Sequence, residues 1–443
     1  MPHLQARAVT GPAPSLRREL GRWDLTAIGI NQVIGGAVFA VPAAIAGLVG
    51  AWSPLLIVAV GFASLLIAAT FAEVGSRFDG TGGPYLYTRA AFGRFAAFEV
   101  GWMQWFTRVA SWASVINVLI VSLGFYWPAV TAGATRTLLL TAIIATLAII
   151  NVLGIRQSAW VVNALAIGKI IPLGLFIAFA LPAIDAALLA PGGAPELSQL
   201  RSSALLLIYT FGGYEVVPVP AGEARDPRRA VPFALLMTII LVTIILTLVQ
   251  VAVLGTLPGL AQSKTPLADA SARVMGPAAA ALMTLGAVMS TTGNNMGQAL
   301  SGSRSLFALA EQGDLPGVLA RVSARFGTPI NAILVTAAIS LALATSGTFV
   351  TMAAASAVSR LVVYVATCAS ALRLRSPALA DRVAPPTLTL PLGPIVPSAA
   401  IAIALGILAG ATARQWMAGA GALAAGAALF LIAARLAPRS GSG

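Results

Sequence analysis

The sequence IGINQVIGGAVF at residues 28–39 decides the fold, because it places Gly35 and Gly36 near the middle of an apolar segment long enough to cross a bilayer. A second pair, Gly212 and Gly213, lies 177 residues further along in YTFGGYE, inside the apolar segment 202–222. Unwound backbone at membrane depth persists only where it lines a cavity or is buried in protein. Two glycine-interrupted spans in corresponding places therefore predict a ligand site, although close helix packing is the alternative for either pair alone.

Composition indicates a polytopic membrane protein. Of the 443 residues, 58% are hydrophobic and only 9% are charged, and the mean hydropathy is +0.91. A soluble protein carries about 25% charged residues. We predict an all-α polytopic membrane protein with twelve transmembrane helices, at residues 24–49, 54–76, 95–125, 135–153, 159–182, 202–222, 231–256, 277–303, 329–345, 349–372, 393–412 and 414–436.

The distribution of basic residues predicts the orientation. The net charge is +13, and 19 of the 27 lysines and arginines fall in loops on the side of the termini, against five on the other side. By the positive-inside rule both termini are expected in the cytoplasm, with the protein in the cytoplasmic membrane. The basic charge thus reflects topology and predicts no nucleic-acid partner.

The spacing of the glycine pairs divides the chain into two repeats and an addition. The predicted segments are a cytoplasmic tail at 1–23, a first repeat at 24–182, a second repeat at 200–375, two further spans at 393–436 and a second cytoplasmic tail at 437–443.

The rarity of reactive side chains argues against enzymatic and metal chemistry. The chain has one histidine, His3 in the tail, and one cysteine, Cys368. An integral-membrane enzyme would need clustered His, Cys, Asp or Glu in its spans, and a channel would need a repeated filter or a ring of like charge. We therefore predict a protein that is not an enzyme and that has neither a metal nor a cofactor.

A broken helix offers groups of opposite partial charge, which can bind the two charges of a zwitterion. The N–H groups that begin the outer half-helix suit a carboxylate, and the C=O groups that end the inner half suit an ammonium. An α-amino acid carries both groups. Tyr209 and Phe211 flank the second break, where aromatic rings can cover a ligand or simply pack.

Several motifs together resemble the amino acid–polyamine–organocation (APC) superfamily of secondary transporters. Residues 34–39 are similar to its I-G-x-G-[IV]-F signature, with Ala37 where glycine is usual. Residues 211–215 resemble F-x-G-[FY]-[DE], and residues 222–227 resemble G-E-x-x-x-P. The resemblance covers residues 20–375 and implies a five-plus-five inverted repeat, with helices 1 and 6 discontinuous around a central site and two extra helices.

The same resemblance implies roles for individual residues. The amides of Gly35, Gly36 and Ala37 would hold the substrate carboxylate. The carbonyls of Val33, Tyr209 and Gly212 would hold the amine, and Tyr209 would act as an aromatic gate. Gln104 and Gln298 would face the cavity. The predicted substrate-binding set is Val33, Gly35, Gly36, Ala37, Gln104, Tyr209, Phe211, Gly212, Gly213 and Gln298.

Four deep charges complete the candidate site. Lys169 is one of two lysines and lies mid-span, where an ammonium costs roughly 2.5–3.5 kcal/mol. Three interpretations are open: a fixed ammonium in place of a sodium ion, a titrating group that couples protons to transport, or a side chain that snorkels. Glu215 can pair with Arg108 or meet a substrate ammonium or a proton. Arg360 is the fourth deep charge.

The predicted function is secondary active transport of amino acids by alternating access, independent of sodium and either proton-coupled or exchanging. The expected partners are an amino acid, protons or a counter-substrate, and membrane lipid; the oligomeric state is left open. One alternative is a carrier of polyamines or other organic cations, which Arg108 and Arg360 disfavour. Another is a sodium-coupled symporter, for which Ser290, Thr291 and Thr292 offer hydroxyls.

Overall fold

A computed structural model of the protein describes residues 15–124, 126–346 and 349–436, without the side chains of residues 37, 349–355, 380 and 433–436. The first predicted span is discontinuous. Helix α1 (Arg22–Val33) ends at the glycine pair, a short 3₁₀ turn covers Gly36–Phe39, and helix α2 (Val41–Val49) follows with Pro42 in its first turn. Of the two predicted tails, residues 1–14 and 437–443 lie outside the described residues.

The rest of the described chain is also helical, and its single β-bridge joins Leu20 to Ala224. The further helices are α3 (Ser53–Gly75), α4 (Pro84–Phe92), α5 (Arg94–Gly124), α6 (Gly133–Leu153), α7 (Ile155–Ala180), α8 (Leu197–Phe211), α9 (Pro227–Thr256), α10 (Pro266–Met275), α11 (Pro277–Glu311), α12 (Ile330–Thr345), α13 (Phe349–Arg373), α14 (Pro377–Ala380), α15 (Ile395–Ala409) and α16 (Ala413–Leu436).

Six helical segments in the described part of the chain are long and apolar enough to cross a membrane, and α12 and α15 are shorter apolar helices. The long segments are Val41–Gly75, Arg94–Gly124, Gly133–Leu153, Ile155–Ala183, Pro227–Thr256 and Ala413–Ile432. They make the protein a multi-pass membrane protein. The count of twelve spans and the inverted repeat stay predictions.

The sixth predicted span differs from a helix broken once. Helix α8 ends at Phe211, and the chain continues through 3₁₀ turns at Tyr214–Val216 and Ala221–Glu223 rather than through a second α-helix. The physical reason is local. Gly213 has φ +129°, and Pro218 and Pro220 each remove a backbone donor from a stretch of only ten residues.

The start of the third predicted span also forms a separate element. Helix α4 is an amphipathic piece of nine residues, and Gly93, with φ +86°, turns the chain from it into α5. Helix α10 lies between the seventh and eighth predicted spans, in a stretch that the hydropathy pattern leaves as a loop. Helices α5 and α11 pack against each other at the centre of the bundle, where Trp112 and Met296 are buried.

A buried ion pair closes the end of the bundle that carries the N-terminal segment. Arg304 Nε and Nη2 donate to the two carboxylate oxygens of Glu223 at 2.8 Å each, and Nη1 donates to Asn151. Both charged side chains are fully buried. The N–H groups of Glu19 and Leu20 donate to the Glu223 carbonyl at 2.9 Å. The turn after α8 is thereby fixed to α11 and to the segment before α1.

Asp314, just after α11, makes a second closure at the same end. Its carboxylate accepts from Arg94 Nε at 2.6 Å, from Arg89 Nη1 at 3.0 Å and from the Tyr85 hydroxyl at 2.6 Å. Burial and the hydrogen bond to Asp314 raise the pKa of Tyr85, so its hydroxyl remains a donor over the physiological range. Helix α4 is held in this way against the end of α11.

Removing one partner of the buried pair should destabilise the protein. Glu223→Ala leaves the Arg304 guanidinium buried without a counter-charge, which costs about 3–5 kcal/mol, so we expect a lower melting temperature in detergent. Asp79→Ala is the control, because its pairing with Arg18 spans 4.0 Å and both side chains are more than half exposed. That change should cost less than about 1 kcal/mol. Equal losses of stability would contradict the structural role of the buried pair.

Candidate functional site

The two helix breaks meet at a cavity of about 190 Å³. Its walls come from the end of α1, the Gly35–Gly36 turn, α5, the end of α8, α11 and α13. The lining residues are Gln32, Val33, Gly35, Gly36, Ser111, Ser114, Val115, Val118, Tyr209, Thr210, Gly212, Thr291, Asn294, Gln298, Ser356 and Arg360. The lining is largely polar, and the described residues in it include one charged side chain and no carboxylate.

Backbone contact brings the two breaks together. A Cβ at Gly213 would lie 2.7 Å from the Gln32 carbonyl oxygen, and the φ of +129° at Gly213 strains any other residue. Helix α8 ends at Phe211, and the next residue, Gly212, has extended backbone dihedrals. The second glycine pair therefore allows the chain to turn after α8 and to approach α1 closely.

Six of the predicted substrate-binding residues line the cavity: Val33, Gly35, Gly36, Tyr209, Gly212 and Gln298. Phe211 and Gly213 are buried beside it but do not line it. For Ala37 the structure describes the backbone, in the turn Gly36–Phe39, and not the side chain.

Gln104 lies away from the cavity. Its Nε2 donates to Ser305 Oγ at 2.7 Å and to the Gly82 carbonyl at 3.2 Å, so the amide joins α5 to α11 and to the loop before α4. The side chain is buried in that contact. In the described conformation Gln104 joins these elements and is not among the residues that line the cavity.

Lys169 lies on α7 and reaches the break in the first span. Its Nζ donates to the Ile34 carbonyl at 2.6 Å, with the carbonyls of Asn31 and Ser290 at 3.5 Å. Ser290 Oγ, on α11, donates to the same Ile34 carbonyl at 2.8 Å. The side chain is fully buried, so the ammonium does not snorkel. It occupies the position between the broken helix and α11.

Glu215 lies at the centre of a buried charge cluster. Its Oε1 accepts from Arg108 Nη2 at 2.7 Å, and Arg360 Nε lies 3.0 Å from the same oxygen. Its Oε2 accepts from the Tyr364 hydroxyl and from the Gly213 N–H, both at 2.8 Å. The pairing with Arg108 that the sequence suggested is present, and Arg360 joins it. Arg108 itself does not line the cavity.

Sequence reasoning missed three contributors to the site. Gln32 Nε2 donates to the Asn294 carbonyl at 2.9 Å, and Asn294 Nδ2 donates to the Gln32 carbonyl at 3.0 Å, which clamps α1 to α11. The polar run STTGNN at residues 290–295, unusual inside an apolar span, was the available signal. Tyr364 lies one helical turn after Arg360, the spacing that places two side chains on one face.

Comparisons with known proteins extend over this whole region. A family model described as amino acid permease matches residues 20–410. An uncharacterized transporter of Mycobacterium tuberculosis (strain ATCC 25618 / H37Rv) is 30% identical over 365 residues, 81% of each chain. The branched-chain amino acid permease BcaP of Bacillus subtilis (strain 168) is 28% identical, over 73% of each chain. The serine/threonine exchanger SteT of the same organism is 27% identical, over 72% of this chain and 74% of SteT. The family match includes both helix breaks and the cavity between them.

Proposed function

This chain belongs to the amino acid permease family, and we propose that it is a secondary transporter that moves amino acids by alternating access without sodium. Family membership makes it a multi-pass amino acid transporter rather than an enzyme. Its place is the cytoplasmic membrane with both termini in the cytoplasm, a proposal supported by the excess of arginine in the loops on the side of the termini.

The first break is the carboxylate site. Gly35 and Gly36 line the cavity at the start of the turn Gly36–Phe39, and the first N–H groups of a helical turn have no partner within it. The Gly35 N–H is directed to the Val33 carbonyl at 2.9 Å. The amides that remain for a carboxylate are those of Gly36 and Ala37, with Gly35 allowing close approach.

The second break and the end of α1 hold the amine. Val33, Tyr209 and Gly212 all line the cavity where their helices end, and carbonyls at a helix C-terminus carry partial negative charge. The Tyr209 carbonyl accepts from the Gly212 N–H at 3.2 Å, which leaves it a second lone pair. The Tyr209 ring is half exposed beside the cavity, a position from which it can cover a bound ligand.

The observation that carries sodium independence is the position of Lys169. Its ammonium donates at 2.6 Å to the Ile34 carbonyl, between the first break and α11. A sodium ion in that place would need these same oxygens, so the ammonium supplies the charge that the ion would bring.

Organic cations are disfavoured as substrates. Arg360 is the charged residue among those that line the cavity, and no Asp or Glu of the described chain lines it. A polyamine would meet a guanidinium and find no carboxylate. The geometry therefore supports a substrate that brings its own carboxylate.

Uptake by the purified protein in proteoliposomes tests the proposal. We expect accumulation of at least one labelled L-amino acid at an unchanged rate when sodium is replaced by choline. An imposed pH gradient should drive uptake if protons are coupled, and internal unlabelled amino acid should be required if the protein is an exchanger. A strict requirement for sodium, or transport of putrescine without any amino acid, would contradict the proposal.

A further inference from the structure

Building on the proposed function, we propose that the transported amino acid carries a second anionic group and that Arg360 determines this specificity. Among the described residues that line the cavity, every other polar group is neutral. A zwitterionic α-amino acid adds no net charge to the site. A substrate with a second carboxylate adds the negative charge that the cavity lacks.

The charges around the cavity do not cancel. Glu215 is the carboxylate in contact with Arg108 and Arg360, so this cluster retains one positive charge. Lys169, across the cavity wall, is bonded to carbonyl oxygens and has no carboxylate partner among the described residues. Burying unpaired positive charge is costly, and a ligand of opposite sign offsets that cost.

Arg108 and Arg360 interact with Glu215 to different extents. Arg108 makes a hydrogen bond of 2.7 Å to Oε1 and is almost fully buried. Arg360 approaches the same oxygen at 3.0 Å, but its Nε–H is not aligned for a hydrogen bond. The other oxygen is already bonded to Tyr364 and Gly213. Glu215 is therefore saturated. Nε and Nη1 of Arg108 are buried without a hydrogen-bond partner and away from the cavity, so the guanidinium edge that a ligand can reach is that of Arg360.

That edge faces the substrate cavity. Its Nη1 lies directly over Gly212, where any side chain would collide with it, and Cζ lies 6.0 Å from the centre of the Tyr209 ring. The side chain keeps 13% of its surface exposed, against 1% for Arg108. A guanidinium can bind a carboxylate through two parallel hydrogen bonds, a geometry that an amide or an alkyl group does not match.

An adjoining cavity of about 470 Å³ between α8, α13 and α15 suggests a different substrate side chain. It shares Tyr209 and Arg360 with the substrate cavity, but its other walls are mostly apolar, with Leu205 and Leu361 among them. It would suit a branched aliphatic side chain. The apolar walls would pack against such a side chain but would leave the excess positive charge of the Arg108–Glu215–Arg360 cluster unbalanced, so the charge balance favours the acidic substrate.

The test compares L-glutamate with its neutral isostere L-glutamine and with L-leucine in proteoliposomes. For the wild-type protein we expect kcat/KM for glutamate to exceed that for glutamine at least about 10-fold. Arg360→Gln should reduce the ratio to about 1 or below, whereas Arg360→Lys should keep part of it because the charge remains. Ligand-induced shifts in melting temperature should follow the same order.

Arg136→Gln is the matched control. Arg136, on α6, is also partly buried and bonded to Asn117, but it does not line the cavity, so the ratio should not change. Wild-type preference for glutamine or leucine, or an unchanged ratio in Arg360→Gln, would overturn the inference while leaving amino acid transport intact. Transport of none of a full amino acid panel would instead refute the proposed function itself.

Discussion

Lys169→Ala is expected to lower the initial rate of amino acid uptake into proteoliposomes roughly 10- to 100-fold, the equivalent of losing a hydrogen bond from a charged donor. The ammonium is fully buried and donates to the Ile34 carbonyl at 2.6 Å. Without it, Ser290 Oγ is the remaining side-chain donor to that carbonyl. The first break loses both the charge and the contact that join it to α7.

Lys264→Ala is the control. Lys264 is the only other lysine of the chain and lies in an exposed loop, so its replacement should leave uptake unchanged. The pH dependence separates the two functional interpretations of Lys169. If the lysine couples protons, Lys169→Ala should lose its response to a pH gradient as well as its rate. Uptake in Lys169→Ala with undiminished proton dependence would exclude the coupling role and leave that of a fixed ammonium.

Gly36→Leu is expected to lower substrate affinity about 100-fold or more, the equivalent of about 3 kcal/mol, because the leucine side chain occupies volume that the substrate needs. Gly36 lines the cavity at the proposed carboxylate site. A Cβ there would lie 3.6 Å from Thr291 Oγ1 and 3.8 Å from Val118 Cγ1, which is ordinary contact. A leucine side chain has to continue into the substrate volume.

Gly36→Ala distinguishes filling the cavity from disturbing the backbone. Its single methyl group meets no close neighbour, so binding should fall only a few-fold and the melting temperature should stay near that of the wild type. Both variants can be followed by ligand-induced thermal shift and by uptake. Normal affinity in Gly36→Leu would remove Gly36 from the substrate site, and equal losses in both variants would point to the backbone instead.

The first break was predictable because one local signal decides it. Glycine weakens the helix at the same place where α1 ends, so the local sequence marks the position of the turn at Gly36–Phe39. The second break was located equally well by Gly212 and Gly213. The 3₁₀ turns that follow it were not predicted, because the apolar pattern of this stretch is that of a continuous helix although Pro218 and Pro220 interrupt it.

The candidate site was less predictable. The spacing of residues on a helix shows which side chains face inward, but not which of them lie at the level of the cavity. Gln104 and Gln298 both lie on inward faces of their helices. The side chain of Gln104 is bonded to the loop at Gly82, and of the two only Gln298 lines the cavity. Arg360 was recognised only as a deep charge. Its approach to Glu215 joins residues 145 positions apart in the sequence, and a single sequence carries no signal for such a contact.

The pairing of Glu223 with Arg304 sets a condition on how the closed end of the bundle opens. Both charges are dry, and neither regains hydration until water has entered the gap between them. Small separations therefore weaken the attraction before hydration can compensate for it, so we expect this end to open in one step rather than by gradual widening. Under the proposed alternating access, we expect this cost to give turnover a steep temperature dependence, with opening of this end as the slow step.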